Sequence, residues 1–193
     1  MKFNDFKDFE DVFGLHPVFY YYGFEHLLVN MIPYIKQGLE NDELIYFSCA
    51  DDLYQRLVIE NLDFRESIEL KSIIELLASH KFGEKKGLAE KIENLVAAAQ
   101  ARGYSGIRWV CQPGYVMQTN SKEDFLKLEE NLSSALKDTK LSLLCIYEFE
   151  DYLEEKEYID QKVINKSLAT HEYLLNQFSL KKNDLYSECQ QEI

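Results

Sequence analysis

The stretch from His16 to Cys49 constrains the fold more than any other part of the chain. It opens with the aromatic, β-branched run Val18-Phe19-Tyr20-Tyr21-Tyr22, stopped by Gly23. Such a run is too short for a helix and reads as a strand. From Phe24 the apolar positions fall at 24, 27, 28, 31, 35 and 39, which is one face of a helix. Pro33 inside it is expected to bend it. Leu44 to Cys49 is a second continuous apolar run. Strands buried on both faces have this appearance, and a parallel sheet covered by helices supplies that burial. A strand–helix–strand unit of this kind crosses over right-handed.

The rest of the chain repeats the alternation. A helix is expected from about Asp51 to Asn61, a weak strand over 67–72 and a helical segment over 73–80. Phe82 to Gly87 reads as a loop. A clear helix follows through Leu88, Ile92, Leu95, Val96 and Ala99, ending at Gly103. Ile107 to Cys111 is a strand stopped by Pro113-Gly114. Ser121-x-x-Asp124 starts a helix whose face is Phe125, Leu128, Leu132 and Leu136. Leu141 to Tyr147 is the last strong strand. A final helix is expected through Val163 and Leu168 to Leu175, carrying His171, with a fraying tail from Lys181. The fold class is therefore α/β, a three-layer sandwich with a mainly parallel central sheet.

Three parts are expected along the chain. Residues 1–13 carry Phe3, Phe6, Phe9, Val12 and Phe13 and read as an amphipathic helix, with packing on its own core favoured over a partner. Residues 14–178 form the main domain, and 179–193 a polar tail.

Charge narrows the partners. With 21 basic against 34 acidic residues the net charge is −13. Nucleic acid and anionic membrane surfaces both call for a basic face, so neither is expected. No run is long enough to span a membrane, and Met1-Lys2-Phe3-Asn4-Asp5 lacks the layout of a signal peptide, so a cytoplasmic setting is expected. The four cysteines, 49, 111, 145 and 189, include no CxxC pair and read as free thiols.

Open α/β sheets often bind nucleotides, but there is no GxxxxGK[ST], and Tyr22-Gly23-Phe24-Glu25 places an acid where phosphate would sit. GxGxxG, GxSxG and HExxH are missing as well. What remains is what the strand ends bring together: Tyr20 and Tyr21, Cys49, Trp109 and Cys111, then Cys145 and Tyr147. Aromatic rings and thiols at the carboxyl edge suit a small organic ligand, although core filling explains the same residues. Cys49, Cys111 and Cys145 could supply thiolates to a metal, but they lack the paired spacing of such sites, and none is expected from them. His16 and His171 complete the candidate set as histidines able to donate to a ligand or to satisfy a buried carbonyl.

Four of these pieces, in this order, resemble the MEDS domain, a sensory domain of methanogens, methylotrophs and the dichloromethane-responsive regulator. They are His16 opening the aromatic strand to Tyr21, Gly38-Leu39 before the Glu43–Cys49 turn and strand, Cys145-Ile146-Tyr147, and His171. The resemblance covers about residues 14–178. It implies a RecA- or KaiC-like core without its phosphate loop, which agrees with the missing Walker A sequence. It further implies a non-enzymatic sensor of small organic molecules, with no cofactor, that acts on an effector. With few residues outside the domain, signalling is expected through a partner protein such as a kinase or transcription regulator, and an exposed edge leaves room for a homodimer. The alternative is a ligand-free adaptor in a kinase or sigma-factor pathway. It would dock through residues 1–13 and the acidic segment from Glu148, so that removing 1–13 would spare stability. A degenerate nucleotide enzyme is the third reading, and ATP with magnesium is expected not to shift the melting temperature.

Overall fold

The computed structural model describes residues 6, 7, 9–62, 66–154 and 156–189. Its strands are β1 (Phe6–Lys7), β2 (Pro17–Tyr21), β3 (Leu44–Ser48), β4 (Ile68–Leu70), β5 (Ile107–Cys111), β6 (Leu141–Glu148), β7 (Tyr173–Asn176) and β8 (Ser179–Lys182). The helices are α1 (Gly23–Glu40), α2 (Asp51–Tyr54), α3 (Ile74–Ala101), α4 (Pro113–Thr119), α5 (Lys122–Leu136), α6 (Phe149–Leu153), α7 (Gln161–Thr170) and α8 (Asp184–Cys189). A π-helical turn, Gln55–Ile59, continues α2. No helix among the described residues is long and apolar enough to cross a membrane.

The strands form one sheet in the order β1-β8-β7-β2-β6-β5-β3-β4. From β7 to β4 every pairing is parallel; at the other edge β8 runs opposite to the rest and pairs antiparallel with both β7 and β1. The continuous apolar runs are the central strands, and β3 and β5 are buried along their whole length. Side-chain alternation then divides the core. Val18, Trp109, Cys111, Cys145 and Tyr147 face α3, α4, α5 and α7. Phe19, Tyr21, Phe47 and Ile146 face α1 and the segment after α2. These are the three layers expected from the sequence.

Helix α1 has the expected inner face of Leu27, Met31 and Ile35 and continues past Pro33 to Glu40. Gly38 lets it lie close to the sheet: a Cβ there would sit 2.8 Å from Ile45 Cδ1 and 2.9 Å from Arg108 Nε. Ser121 caps α5 by accepting from the Asp124 amide at 3.2 Å, as its spacing indicates.

Three expectations are corrected. The loop over 82–87 is a corner inside α3, made by Glu84 alone at φ 50° and ψ −145°. One left-handed residue turns the helix, and Gly87 leaves room for the Ser79 carbonyl oxygen, which a Cβ would approach to 2.6 Å. Second, no helix runs over the described part of residues 3–13. Phe6–Lys7 pairs with Leu180 and Lys181 as an edge strand, and Phe9 and Val12 are buried against α1. A sheet edge offers unsatisfied backbone groups, and pairing with it outweighs a weak short helix. Third, the last helix stops at Thr170. A β7–β8 hairpin follows, with Lys181 and Lys182 in β8 rather than in a tail, so the boundary expected at residue 178 falls inside the hairpin. Residues 1–5, 8 and 190–193 lie outside the described residues.

Candidate functional site

Beneath α5 and α7, on one face of the sheet, four polar side chains meet. Val18 stands opposite Cys145 across the β2–β6 ladder. His16 lies two residues before Val18, on the same face, and so approaches Cys145. Glu129 comes down from α5, one turn beyond Phe125. His171 is the extended residue that ends α7, with φ −111° and ψ 116°. None of the four exposes more than 3% of its surface.

The donor atoms are close. Cys145 Sγ lies 3.3 Å from Glu129 Oε1 and 3.6 Å from His16 Nε2. His16 Nε2 is 3.6 Å from Glu129 Oε1, and His171 Nε2 is 3.5 Å from Glu129 Oε2. One donor atom from each residue fits within 4.8 Å of all the others. The imidazole rings lie against each other, centroids 3.9 Å apart.

Hydrogen bonds around the cluster fix both tautomers. The His171 Nδ1 is 2.6 Å from the Ser167 carbonyl oxygen, which can only accept, so Nδ1 carries the proton. Ser133 donates its single hydroxyl proton to the Thr170 carbonyl at 2.7 Å, so its 3.2 Å contact with His16 Nδ1 is one in which the ring donates. In the neutral rings both Nε2 lone pairs therefore point into the cluster. Thr170 Oγ1 lies 3.4 Å from Glu129 Oε2.

Burial, and then His16 beside it, push His171 down to about 3, so this ring is neutral at physiological pH. Burial alone would raise the Glu129 carboxyl; the positive charge of His171 and then of His16, present once these rings are protonated in acid, and the Cys145 thiol outweigh it and lower the group to about 2. Burial pushes the Cys145 thiol well above its ordinary range.

The remaining candidate residues do not converge on one crevice. Tyr20 reaches the edge of the cluster, with its hydroxyl 2.5 Å from Ser167 Oγ and its ring 5.7 Å from that of Tyr147. Cys111 faces Cys145 across the β5–β6 ladder. Tyr21 and Cys49 are on the opposite face of the sheet. Tyr21 donates to Glu148 Oε2 at 3.3 Å, and burial pushes the Cys49 thiol up to about 12. Cys145 lies inside β6 rather than at its end, because the strand continues to Glu148.

Trp109 is wholly buried, donates to Ser48 Oγ at 2.8 Å and meets the Tyr46 ring edge-on at 5.2 Å. The ring packs in the core on the α3–α5 side of the sheet. Trp109→Ala is expected to destabilise the fold by about 3–5 kcal/mol in urea unfolding, as aromatic-to-alanine changes in a core do. A loss under ~1 kcal/mol would place the ring outside the core.

At the carboxyl ends of β3 and β4 a cleft of about 320 Å³ opens against α4. Phe47, Cys49, Ile73 and Val116 supply apolar wall; Ser48, Lys71, Ser72, Thr119 and Asn120 supply polar groups. Of the nine candidate residues only Cys49 lines it.

Glu129 is the member of this cluster that the sequence alone did not single out. Its signal was present: it stands at the i+4 position from Phe125, in the middle of the apolar face formed with Leu128 and Leu132, where a carboxylate needs a partner.

No curated protein matches the chain. A family model does, over residues 15–172, a span that contains His16, Glu129, Cys145 and His171. The chain belongs to the MEDS family, the methanogen/methylotroph, DcmR sensory domain.

Proposed function

We propose that this sensory domain takes a small organic ligand in the cleft at the carboxyl ends of β3 and β4 and passes the occupied state to a partner protein, without catalysing a reaction. The cleft carries this reading. Ligands of parallel α/β sheets sit outside the carboxyl ends of the strands. Its volume of about 320 Å³ is at the small end of the range for ligand pockets. A mostly apolar wall with Ser48 and Lys71 as polar tips selects a compact, weakly polar molecule. One wall is α4, a single short helix between β5 and α5. A ligand that prefers one placement of α4 would shift that helix and, through it, the outer surface of α5.

The test is a panel of small alcohols, amines, ketones and carboxylic acids, read by thermal shift and by amide chemical shifts. At least one class is expected to raise the melting temperature saturably, by mass action on the native state. Thr119→Trp, at an exposed position on the cleft wall, is expected to remove that response and leave the unliganded melting temperature unchanged. Saturable binding that Thr119→Trp does not affect would overturn the assignment to this cleft. No saturable binder in the panel would favour the ligand-free adaptor.

A further inference from the structure

We propose that His16, Glu129, Cys145 and His171 form a buried site for one divalent transition-metal ion, with zinc the best fit to the donor set. The site is separate from the cleft, since none of the four residues lines it.

Geometry is the first argument. A tetrahedral zinc with bonds of about 2.0–2.3 Å holds its ligand atoms roughly 3.3–3.8 Å apart. Cys145 Sγ, His16 Nε2 and Glu129 Oε1 already stand 3.3–3.6 Å apart; His171 Nε2 lies 3.5 Å from the other carboxylate oxygen, Oε2, and one donor atom from each of the four residues lies within 4.8 Å of all the others, so an ion would draw the set slightly inward. Two imidazole nitrogens, a thiolate sulfur and a carboxylate oxygen are borderline ligands of the kind zinc takes, and four protein donors close the coordination shell.

The second argument is independent of that spacing. His171 Nε2 is fully buried and has no hydrogen-bond partner among the described residues. With the proton fixed on Nδ1 by the Ser167 carbonyl, Nε2 turns a lone pair toward the Glu129 carboxylate 3.5 Å away. A lone pair and a carboxylate repel in a dry interior, and that arrangement is costly unless a proton or a metal ion lies between them. His16 is oriented in the same sense by Ser133. Imidazoles held by carbonyl or hydroxyl acceptors, with the other nitrogen turned inward, are the usual outer support of a metal site. The ion would take the place of the Cys145 thiol proton, which leaves to solvent, and the thiolate and carboxylate would together balance its charge.

Because all four ligands are buried, loading is tied to folding. The full chain should therefore be unfolded with a chelator and refolded with zinc, with cobalt(II), or with neither, and its metal content measured. One equivalent of zinc is expected, together with a melting temperature above that of the metal-free protein. Cobalt is expected to give the intense visible bands of a tetrahedral site and a thiolate-to-cobalt charge-transfer band. Cys145→Ser should abolish that band and Cys111→Ser should leave it. Ser133→Ala, which touches no metal, should weaken zinc about 10–100-fold in competition with a chelating dye, the usual effect of removing an outer-shell partner. Folded protein with less than a tenth of an equivalent of metal by either route overturns the proposal. So does a cobalt spectrum without a thiolate band, or one that is lost with Cys111 rather than Cys145. If Cys145→Ser does not fold, the unsubstituted protein's metal content and cobalt spectrum still decide the matter.

Discussion

Arg108→Ala should lower the unfolding free energy by about 3–5 kcal/mol, the cost of leaving one member of a buried ion pair without the other. Arg108 is wholly buried on β5, in the middle of the run Ile107–Cys111. Its Nε and Nη2 donate to the two oxygens of Glu43 at 2.6 and 2.8 Å. Nη1 donates to the Tyr34 carbonyl at 2.7 Å and Nη2 also to the Phe9 carbonyl at 2.8 Å. The guanidinium lies over the Tyr34 ring, 4.5 Å from its centroid. Alanine removes all of this at once. Among the described residues Glu43 keeps the 3.2 Å contact from Asn41 alone, and two carbonyls lose a donor. A domain of this size has about 5–15 kcal/mol of stability in total, so the loss is a large fraction of it. Urea unfolding with a check on the slope would measure it. Replacing both partners, Arg108→Met with Glu43→Leu, should restore most of the loss, because an apolar pair of similar volume removes the need for compensation. A single variant that costs under ~1 kcal/mol would mean that water reaches Glu43.

Arg108 also illustrates what the sequence makes legible. A lone arginine inside an apolar strand, like a lone glutamate at position 129 of an apolar helix face, is visible as an anomaly in the pattern. Its partner is not. Glu43 and Phe9 are distant along the chain, and so are the histidines that meet Glu129; only the strand order brings them together. The sheet itself was readable because β2, β3, β5 and β6 are continuous apolar runs, and that pattern implies burial on both faces. Which face each residue takes follows from alternation, but which strands become neighbours does not. Strand ends alone therefore put the candidate residues in one group, whereas Tyr21 and Cys49 point away from Tyr20, Cys111 and Cys145. The hairpin was missed for a local reason. Its two-residue turn puts Gln177 and Phe178 at φ 44° and 69°, a conformation usually announced by Asn-Gly or Asp-Gly. Without those residues the apolar spacing continued to read as a helix beyond Thr170.

Removing residues 1–13 tests the N-terminal segment against its adaptor reading, in which truncation would spare stability. A loss of about 4 kcal/mol or more is expected, since burying a Phe or a Val side chain is worth about 1.5–3 kcal/mol each. Phe9 packs edge-on against Tyr34 at 5.2 Å, and Val12 is buried in the same cluster. The Phe9 carbonyl is also one of the acceptors of Arg108, so truncation and Arg108→Ala remove a shared contact. Their combined effect should fall short of the sum, by the coupling of about 0.5–3 kcal/mol usual for touching groups. Additive losses would show that the segment holds the core without ordering the guanidinium. Truncation also strips β1 from β8 and exposes a new sheet edge. Exposed edges invite pairing with another chain, but Lys181 and Lys182 on β8 oppose it by charge. The truncated protein should thus keep the assembly size of the full chain in light scattering at low salt and begin to associate further as salt screens the lysines. If it loses no stability and shows no salt-dependent association, the segment is a detachable docking arm and not part of the core.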